Sequence, residues 1–175
     1  MLIERINEWD LTPVDEERIN RLLMAAFKEG FGTRSYYQQR HHLRFIVRDR
    51  TEVIGHMALS YRDIRLGGSL VPIIGLGEVA TDPSHQGKGI ATALLLETIA
   101  EARKSQAVHY LLFGVRPIYA GHGFRSVPNV VTHVDMHGAQ TAAVATSEDS
   151  SLMVMELRGV HWDDTAPVDL LGHLF

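Results

Sequence analysis

The sequence contains no cysteine among its 175 residues. This absence excludes disulfide bonds, zinc sites built on thiolates and a cysteine nucleophile. A chain without thiols is compatible with the reducing cytoplasm, where we expect the protein to act.

Strong charge of one sign and long apolar runs are also missing. The formal net charge of −4 gives no general argument for binding nucleic acid. Residues Met1–Trp9 lack the apolar core of a signal peptide, and no stretch is long and apolar enough to cross a bilayer. The length predicts one domain over residues 1–175. From the charge and the lack of a long apolar run, we expect no nucleic-acid or membrane partner. The sequence is compatible with a homodimer.

The ten histidines do not form a metal-binding pattern. His133 and His137 are four residues apart, which would place them on one face of a helix, but they fall in an extended stretch. No His-Glu-x-x-His pattern is present. We therefore expect no metal ligands, and we expect His41 and His42 to lie at the surface.

The most informative stretch lies mid-chain, where a strand, a glycine-bearing loop and a helix follow one another. The apolar run Val71–Val79 predicts a buried strand, which Asp82-Pro83 ends because proline has no N–H. Gly87 and Gly89 let the backbone approach a bulky ligand. The helix beginning near Ile90 would present free N–H groups to this loop, which favours binding of a phosphate.

Two better-known phosphate-binding loops do not match this stretch. A Walker loop needs Ser or Thr after its lysine, whereas Lys88 is followed by Gly89. A Rossmann fingerprint needs a third glycine where Thr92 stands. The spacing that is present is Gln86-x-x-Gly89-x-Ala91, and by itself it could also be a simple turn between a strand and a helix.

The rest of the chain predicts a mixed α/β domain. Helices are expected from Pro13 to the glycines at 30 and 32, from Ile90 to about Ser105, and at Pro117–His122, with a short helix or turn at Ser35–Arg40. Strands are expected at Leu2–Trp9, Leu43–Arg48, Val53–Arg65, Val71–Thr81, Val108–Phe113, Phe124–Val134 and Ser151–Arg158.

Three segments carry a less regular pattern. Gly75 and Gly77 lie inside a predicted strand, which suggests a β-bulge or the close approach of another molecule. The small and polar stretch Gly138–Ser150 predicts a mobile loop. The tail Trp162–Phe175 shows no clear period, so no element is expected there.

A second motif follows the fifth predicted strand, as Tyr119-Ala120-Gly121-His122-Gly123-Phe124. Together the two motifs and the order of elements resemble the GCN5-related N-acetyltransferase (GNAT) superfamily over nearly the whole chain. The resemblance implies a mainly antiparallel sheet of six to seven strands, about four helices, and a V-shaped splay between the fourth and fifth strands.

The resemblance also implies the activity and the donor. It predicts transfer of an acyl group from acetyl-CoA, or a related acyl-CoA, to an amine. The backbone at the end of the fourth strand would pair with the pantetheine arm, and the loop would surround the pyrophosphate. The cofactor-binding residues implied are Val79, Ala80, Thr81, Gln86, Gly87, Lys88, Gly89, Ile90, Ala91 and Thr92.

The mechanism that the family implies is direct attack of the amine in a ternary complex. Tyr119 matches the tyrosine that protonates the leaving thiolate, and a phenol suits that task because its pKa lies near that of a thiol. Glu78 is the first candidate for the general base, by its position, followed by His56 and then His122. The structural alternatives are that Tyr119 is a core residue and that Glu78 forms an ion pair.

The chain departs from the family pattern in two places. Ala91 replaces the commoner glycine, and Gly114-Val115-Arg116-Pro117 lacks the asparagine that contacts the cofactor in many relatives, which leaves the role of Arg116 open. The Phe113–Arg116 stretch also faintly resembles the nodulation acyltransferase A subgroup, which moves fatty-acyl groups.

The sequence does not choose the acceptor, which could be a small-molecule amine or a peptide amine. Two alternatives to acetyl transfer stay open. One is a regulatory domain that binds acyl-CoA without catalysis, and the other is a transferase for longer acyl chains.

Overall fold

The computed structural model describes residues 1–27, 30–137 and 139–175. Ten strands of these residues form one mixed sheet, more than the six to seven expected. They are β1 Ile3–Asn7, β2 Leu43–Asp49, β3 Glu52–Leu66, β4 Ser69–Thr81, β5 His109–Phe113, β6 Arg125–Ser126, β7 Val130–His137, β8 Gln140–Glu148, β9 Leu152–Glu156 and β10 Val168–His173.

Three α-helices and two short 3-10 helices accompany the sheet in the described residues. The α-helices are α1 Pro13–Phe27, α2 Ile90–Lys104 and α3 Pro117–Ala120, and the 3-10 turns are Glu8–Asp10 and Pro83–His85. Thr12 caps α1 as its position before a proline predicts, because its hydroxyl accepts a hydrogen bond from the Asp15 N–H at 3.2 Å. None of these helices is long and apolar enough to span a membrane.

The sheet is covered on both faces. α2 packs on one face through Ile90, Leu94, Leu95 and Ile99, against side chains of β2 to β5. α1 packs on the other face through Ile19, Leu22 and Leu23. The C-terminal strands complete that second face with a separate apolar cluster around Trp162 and Leu170.

The predicted splay between the fourth and fifth strands is confirmed. β4 and β5 pair in parallel from Ile73 opposite His109 to Leu76 opposite Leu112. Beyond Leu76, β4 continues to Thr81 while pairing only with β3. The two strand ends therefore separate and leave a cleft at the carboxyl end of both strands.

Two expectations for the C-terminal third were wrong. The stretch expected to be a mobile loop contains β8, which pairs antiparallel with β7, although Gly138 lies outside the described residues. The tail contains β10, which lies between β3 and β7 with Val168 and Leu170 buried. Small residues on β8 give it weak periodicity, although its partner β7 is the preceding strand. β10 has only six residues and pairs with strands that are distant in sequence, so the folded sheet decides its structure.

Gly75 and Gly77 do not mark the bulge itself. The register between β3 and β4 shifts between the pairs Ala58–Gly77 and His56–Ala80, so the extra residue lies at Glu78–Val79. The group that lies against both glycines is Phe175 of the same chain. A Cβ at Gly75 would lie 2.2 Å from the Phe175 ring.

Gly55 in β3 allows a second close approach, and this one positions the start of α2. A Cβ at Gly55 would lie 2.5 Å from Ile90 Cγ2 and 3.0 Å from Leu94 Cδ1. The first turn of α2 therefore lies directly on the sheet, which sets the position of the glycine-bearing loop before it.

We predict that Gly55→Ala destabilises the protein by about 1–3 kcal/mol, because the added methyl overpacks the contact between β3 and α2. Urea unfolding measures the change. The matched control is Gly68→Ala, since a Cβ there meets nothing within 4 Å. Equal midpoints for the two variants would contradict the prediction.

Candidate active site

The glycine-bearing loop ends at the start of α2 with its backbone exposed. Gly87 and Gly89 have φ angles of +75° and +78°, in the left-handed region that favours glycine. A Cβ at either position would meet nothing within 4 Å, so the space above the loop is open. Gly89 is the N-cap of α2 and makes no side-chain cap, which leaves the first-turn N–H groups available to an anion.

A cavity of about 360 Å³ lies over this loop. Its lining contains most of the residues predicted to bind the pyrophosphate, namely Gln86, Gly87, Gly89, Ile90, Ala91 and Thr92, together with Thr81, which was expected to pair with the pantetheine arm. The Ile90 side chain packs into the core, so only its backbone is offered to a ligand. Lys88 is exposed on the loop and does not line the cavity.

A second cavity, of about 450 Å³, occupies the splay between β4 and β5. Glu78, Val79, Ala80 and Thr81 line it from β4, and the segment after β5 lines it from the other side. Thr81 and Gln86 line both cavities, so the two are neighbours along one path. An extended ligand with an anionic end fits this path, since the donors of the loop lie at one end and the splay at the other.

Tyr119 lies on α3 and lines the splay cavity together with Arg116. Its ring is 6% exposed and packs against Phe124, with the ring centroids 6.2 Å apart. A Cβ at Gly114 would lie 2.8 Å from Tyr119 Cε2, so the glycine allows the ring to approach the end of β5. Burial raises the pKa of the Tyr119 phenol, and the charge of Arg116 opposes that rise.

Glu78 occupies the bulge of β4 with φ at +53°, an uncommon conformation for a residue other than glycine. Its side chain is 5% exposed and points into a polar cluster. One carboxylate oxygen accepts from Arg44 Nη1 at 2.8 Å, and the other accepts from the Tyr37 N–H at 2.7 Å. His41 Nε2 lies 3.0 Å from that second oxygen, at angles that do not align a hydrogen bond.

Arg44 is the centre of this cluster and is fully buried. Its Nε and Nη2 donate to the two carboxylate oxygens of Glu8 at 2.8 and 3.1 Å, a bidentate pair. Its Nη1 also donates to the Ser35 carbonyl at 3.0 Å. The guanidinium thus joins the segment after β1, the segment between α1 and β2, and the bulge of β4.

A family model for the acetyltransferase (GNAT) domain matches residues 10–127, about two thirds of the chain. The chain belongs to the GNAT family. No curated protein sequence matches it significantly.

Several solved structures share the GNAT fold with this chain. An acetyltransferase from Brucella melitensis, solved with acetyl-CoA, is 20% identical with a TM-score of 0.60, over 95% of this chain and 94% of that one. YhbS from Escherichia coli, solved with CoA, is 19% identical with a TM-score of 0.63, over 97% and 88%.

A third structure is longer than this GNAT chain. It is a protein of Enterococcus faecalis named a probable N-acyltransferase, 17% identical with a TM-score of 0.60 over 73% of this chain. The chain spans about a third of the length of that protein, since it covers 33% of it.

The surroundings of Glu78 in this GNAT domain favour its charged carboxylate form. Burial favours its neutral form, but His41 and Arg44 outweigh burial and lower the pKa of Glu78 to about 2. The charged carboxylate is therefore the stable form at neutral pH, and it makes both of the hydrogen bonds described above. Through these hydrogen bonds, Glu78 links β4 to Arg44 of β2 and to the segment that contains Tyr37.

The residues that the sequence interpretation missed belong to this polar cluster. Arg44 and Glu8 are not part of either family motif, and His41, expected at the surface, is only 6% exposed. Alternation along β2 could have placed Arg44 on the same face as the buried Ile46. A charged residue on a buried face needs a partner, which is the signal that could have found the cluster.

A further groove, of about 510 Å³, borders the loop cavity at His85. Arg18 and Arg21 of α1 line it together with Asp49, Arg50 and Glu52 near the turn between β2 and β3. Its lining carries charges of both signs and includes neither the residues predicted to be catalytic nor the glycines of the loop. The splay and the loop cavity, rather than this groove, form the candidate site.

We predict that Glu78→Gln removes part of the acid sensitivity of the fold. The ordinary pKa of the side chain is 4.5, and the folded value is about 2. A lowered pKa stabilises the native state above the unfolded pKa, and this contribution disappears as pH falls from 4.5 towards 2. The variant should be less stable at neutral pH, by roughly 3–5 kcal/mol, since Arg44 loses a buried partner.

Urea unfolding at neutral and acidic pH measures both effects for the native protein and the variant. Glu52→Gln is the control, because Glu52 forms an exposed pair with Arg21. An acid dependence of Glu78→Gln as steep as that of the native protein would contradict the prediction.

Proposed function

We propose that this GNAT protein transfers an acetyl group from acetyl-CoA to a primary amine by direct attack in a ternary complex. One observation carries the proposal: the splay between β4 and β5 joins the open N-terminus of α2 to Tyr119. The order of groups along this path suits an acyl-CoA, which has an anionic pyrophosphate, an amide-bearing arm and a thioester in that order.

The donor would bind with its pyrophosphate over Gly87 and Gly89, where the free N–H groups and the helix dipole favour negative charge. The pantetheine amides would pair with the backbone of Val79–Thr81, which lies beyond the last residue pair between β4 and β5. The complexes of the two bacterial relatives with acetyl-CoA and CoA support this choice of donor. The thioester would then lie in the splay, next to Tyr119.

Tyr119 would protonate the departing thiolate of CoA. Its raised pKa keeps the phenol protonated at neutral pH, so the proton is in place when the carbon–sulfur bond breaks. Arg116 lines the same cavity and would stabilise the negative charge that develops on the sulfur.

Glu78 was expected to be the general base, but its lowered pKa makes it poorly suited to that role. A carboxylate whose pKa is about 2 has a low affinity for a proton, so direct removal of the ammonium proton would be strongly uphill. Of the other candidates, His56 is fully buried and His122 does not line the splay cavity. We propose that the amine enters as the free base or loses its proton through water, while Glu78 holds the site together.

A binding assay and a turnover assay test the proposal. We expect the protein to bind acetyl-CoA in calorimetry and to release the CoA thiol with at least one member of a panel of small amines, amino sugars and peptides. Tight binding of acetyl-CoA without release for any amine would favour a regulatory domain. Tighter binding of octanoyl- or palmitoyl-CoA would favour a transferase for longer acyl chains.

Tyr119→Phe should lower kcat by about 10²–10⁴-fold, because general acid catalysis contributes that much, while the Kd of acetyl-CoA changes little. The control is Tyr110→Phe, since Tyr110 lies on β5 with its ring buried and does not line the splay cavity. Its turnover should stay close to that of the native protein. Native turnover in Tyr119→Phe would show that the hydroxyl is not the acid.

A further inference from the structure

The peptide bond between Glu78 and Val79 is held from one side by a histidine. His56 lies on β3 and is fully buried. Its Nδ1 lies 2.8 Å from the backbone carbonyl oxygen of Glu78, and its Nε2 lies 3.3 Å from Arg44 Nη1. This is a contact between a side chain and the bulge itself, at the point where β4 leaves β5.

The two neighbours of the ring determine its protonation. A carbonyl oxygen only accepts hydrogen bonds, so His56 Nδ1 must carry a hydrogen. The two hydrogens of Arg44 Nη1 point to Glu78 and to the Ser35 carbonyl, and the positive guanidinium 3.3 Å from Nε2 disfavours a second proton on the ring. The ring is therefore neutral and donates to the Glu78 carbonyl. Burial, aided by the charge of Arg44, lowers the pKa of His56 to about 4, in agreement with a neutral ring.

The sheet order then gives the direction of the Val79 N–H. β4 has β3 on one side and β5 on the other. No peptide bond of the described residues is cis, so the N–H of Val79 points opposite to the carbonyl of Glu78. Because that carbonyl is held by His56 of β3, the N–H is directed to the side of β5, where the strands have separated and Val79 lines the cavity.

In GNAT enzymes the donor to the thioester oxygen is usually a backbone N–H at the end of the fourth strand, and Val79 lies there. We propose that His56 is a positioning residue that holds the Glu78–Val79 peptide plane so that this N–H points into the splay. The inference rests on the acetyltransferase function proposed above. As the amine attacks, the carbonyl oxygen gains negative charge, and a donor oriented beforehand stabilises that charge without further reorganisation. His56 does not touch the substrate, and it acts only by fixing one peptide plane.

A second buried histidine shows that burial alone does not create this arrangement. His109 on β5 is also fully buried, and neither of its ring nitrogens has a hydrogen-bond partner in the described residues. Its ring meets Trp162 edge-on, with the centroids 5.0 Å apart, and lies away from the splay lining. It is therefore a matched control for loss of a buried imidazole.

The test is the infrared carbonyl band of acetyl-CoA, isotope-labelled at the thioester carbonyl and bound to full-length protein. A hydrogen bond to this oxygen moves the band to lower wavenumber. His56→Leu removes the donor to the Glu78 carbonyl, and His56→Asn keeps an N–H near the position of Nδ1. His56→Met replaces the leucine variant if the latter does not fold, and CoA affinity reports the integrity of the loop.

We expect the lowered band in the native protein, in His56→Asn and in His109→Leu, and a band near the free value in His56→Leu or His56→Met. CoA affinity should stay within a few-fold, while kcat with an accepted amine should fall roughly tenfold or more in the apolar variants, since a lost oxyanion donor costs about 10²–10³-fold.

An unchanged band in an apolar variant that binds CoA would overturn the inference, and so would an equal change in His56→Asn and His56→Leu. Failure of the native protein to bind acetyl-CoA would instead refute the proposed function. The two failures are therefore distinguishable in one set of measurements.

Discussion

Arg44 is a buried guanidinium between two carboxylates, and the geometry of the site depends on it. Glu8 holds one edge in a bidentate pair, and Glu78 accepts from Nη1 at 2.8 Å. Removing water from three charges is costly, and here the attraction and the hydrogen bonds must offset that cost. Without Arg44, the Glu78 carboxylate would lose a hydrogen bond from a charged donor, and His56 would lose its neighbour at Nε2.

The bulge of β4 lies where β4 separates from β5. Parallel pairing of β4 and β5 stops at Leu76 opposite Leu112, and the extra residue at Glu78–Val79 follows directly. Beyond that point the backbone of β4 is free on one side, which is where a pantetheine arm could pair. The segment between α1 and β2 closes over the same place through the Tyr37 N–H.

Close approaches at glycine set the other dimensions of the cleft. Gly55 lets the first turn of α2 lie on the sheet, and Gly114 lets the ring of Tyr119 approach β5. Phe175 lies over Gly75, packs at a tilt against Phe113 with the ring centroids 5.7 Å apart, and has the Arg62 guanidinium 4.4 Å from its ring. At each of these glycines, a side chain from another part of the chain fills the space that a Cβ would occupy.

The sequence by itself determined the family, the order of the first five strands, and the positions of the loop and Tyr119. These features come from local patterns: glycine spacing, a proline at a strand end, and helix periodicity. Only the tertiary structure decided β10 and the polar cluster, because their partners are distant in sequence. β8 pairs with the neighbouring β7, and it was missed because its small residues give no clear alternation. Arg44 and Glu78 are 34 residues apart, and no local pattern shows that a carboxylate at a strand end will meet a buried guanidinium. Pairing over such distances is a property of the folded sheet, whose register brings the charges together.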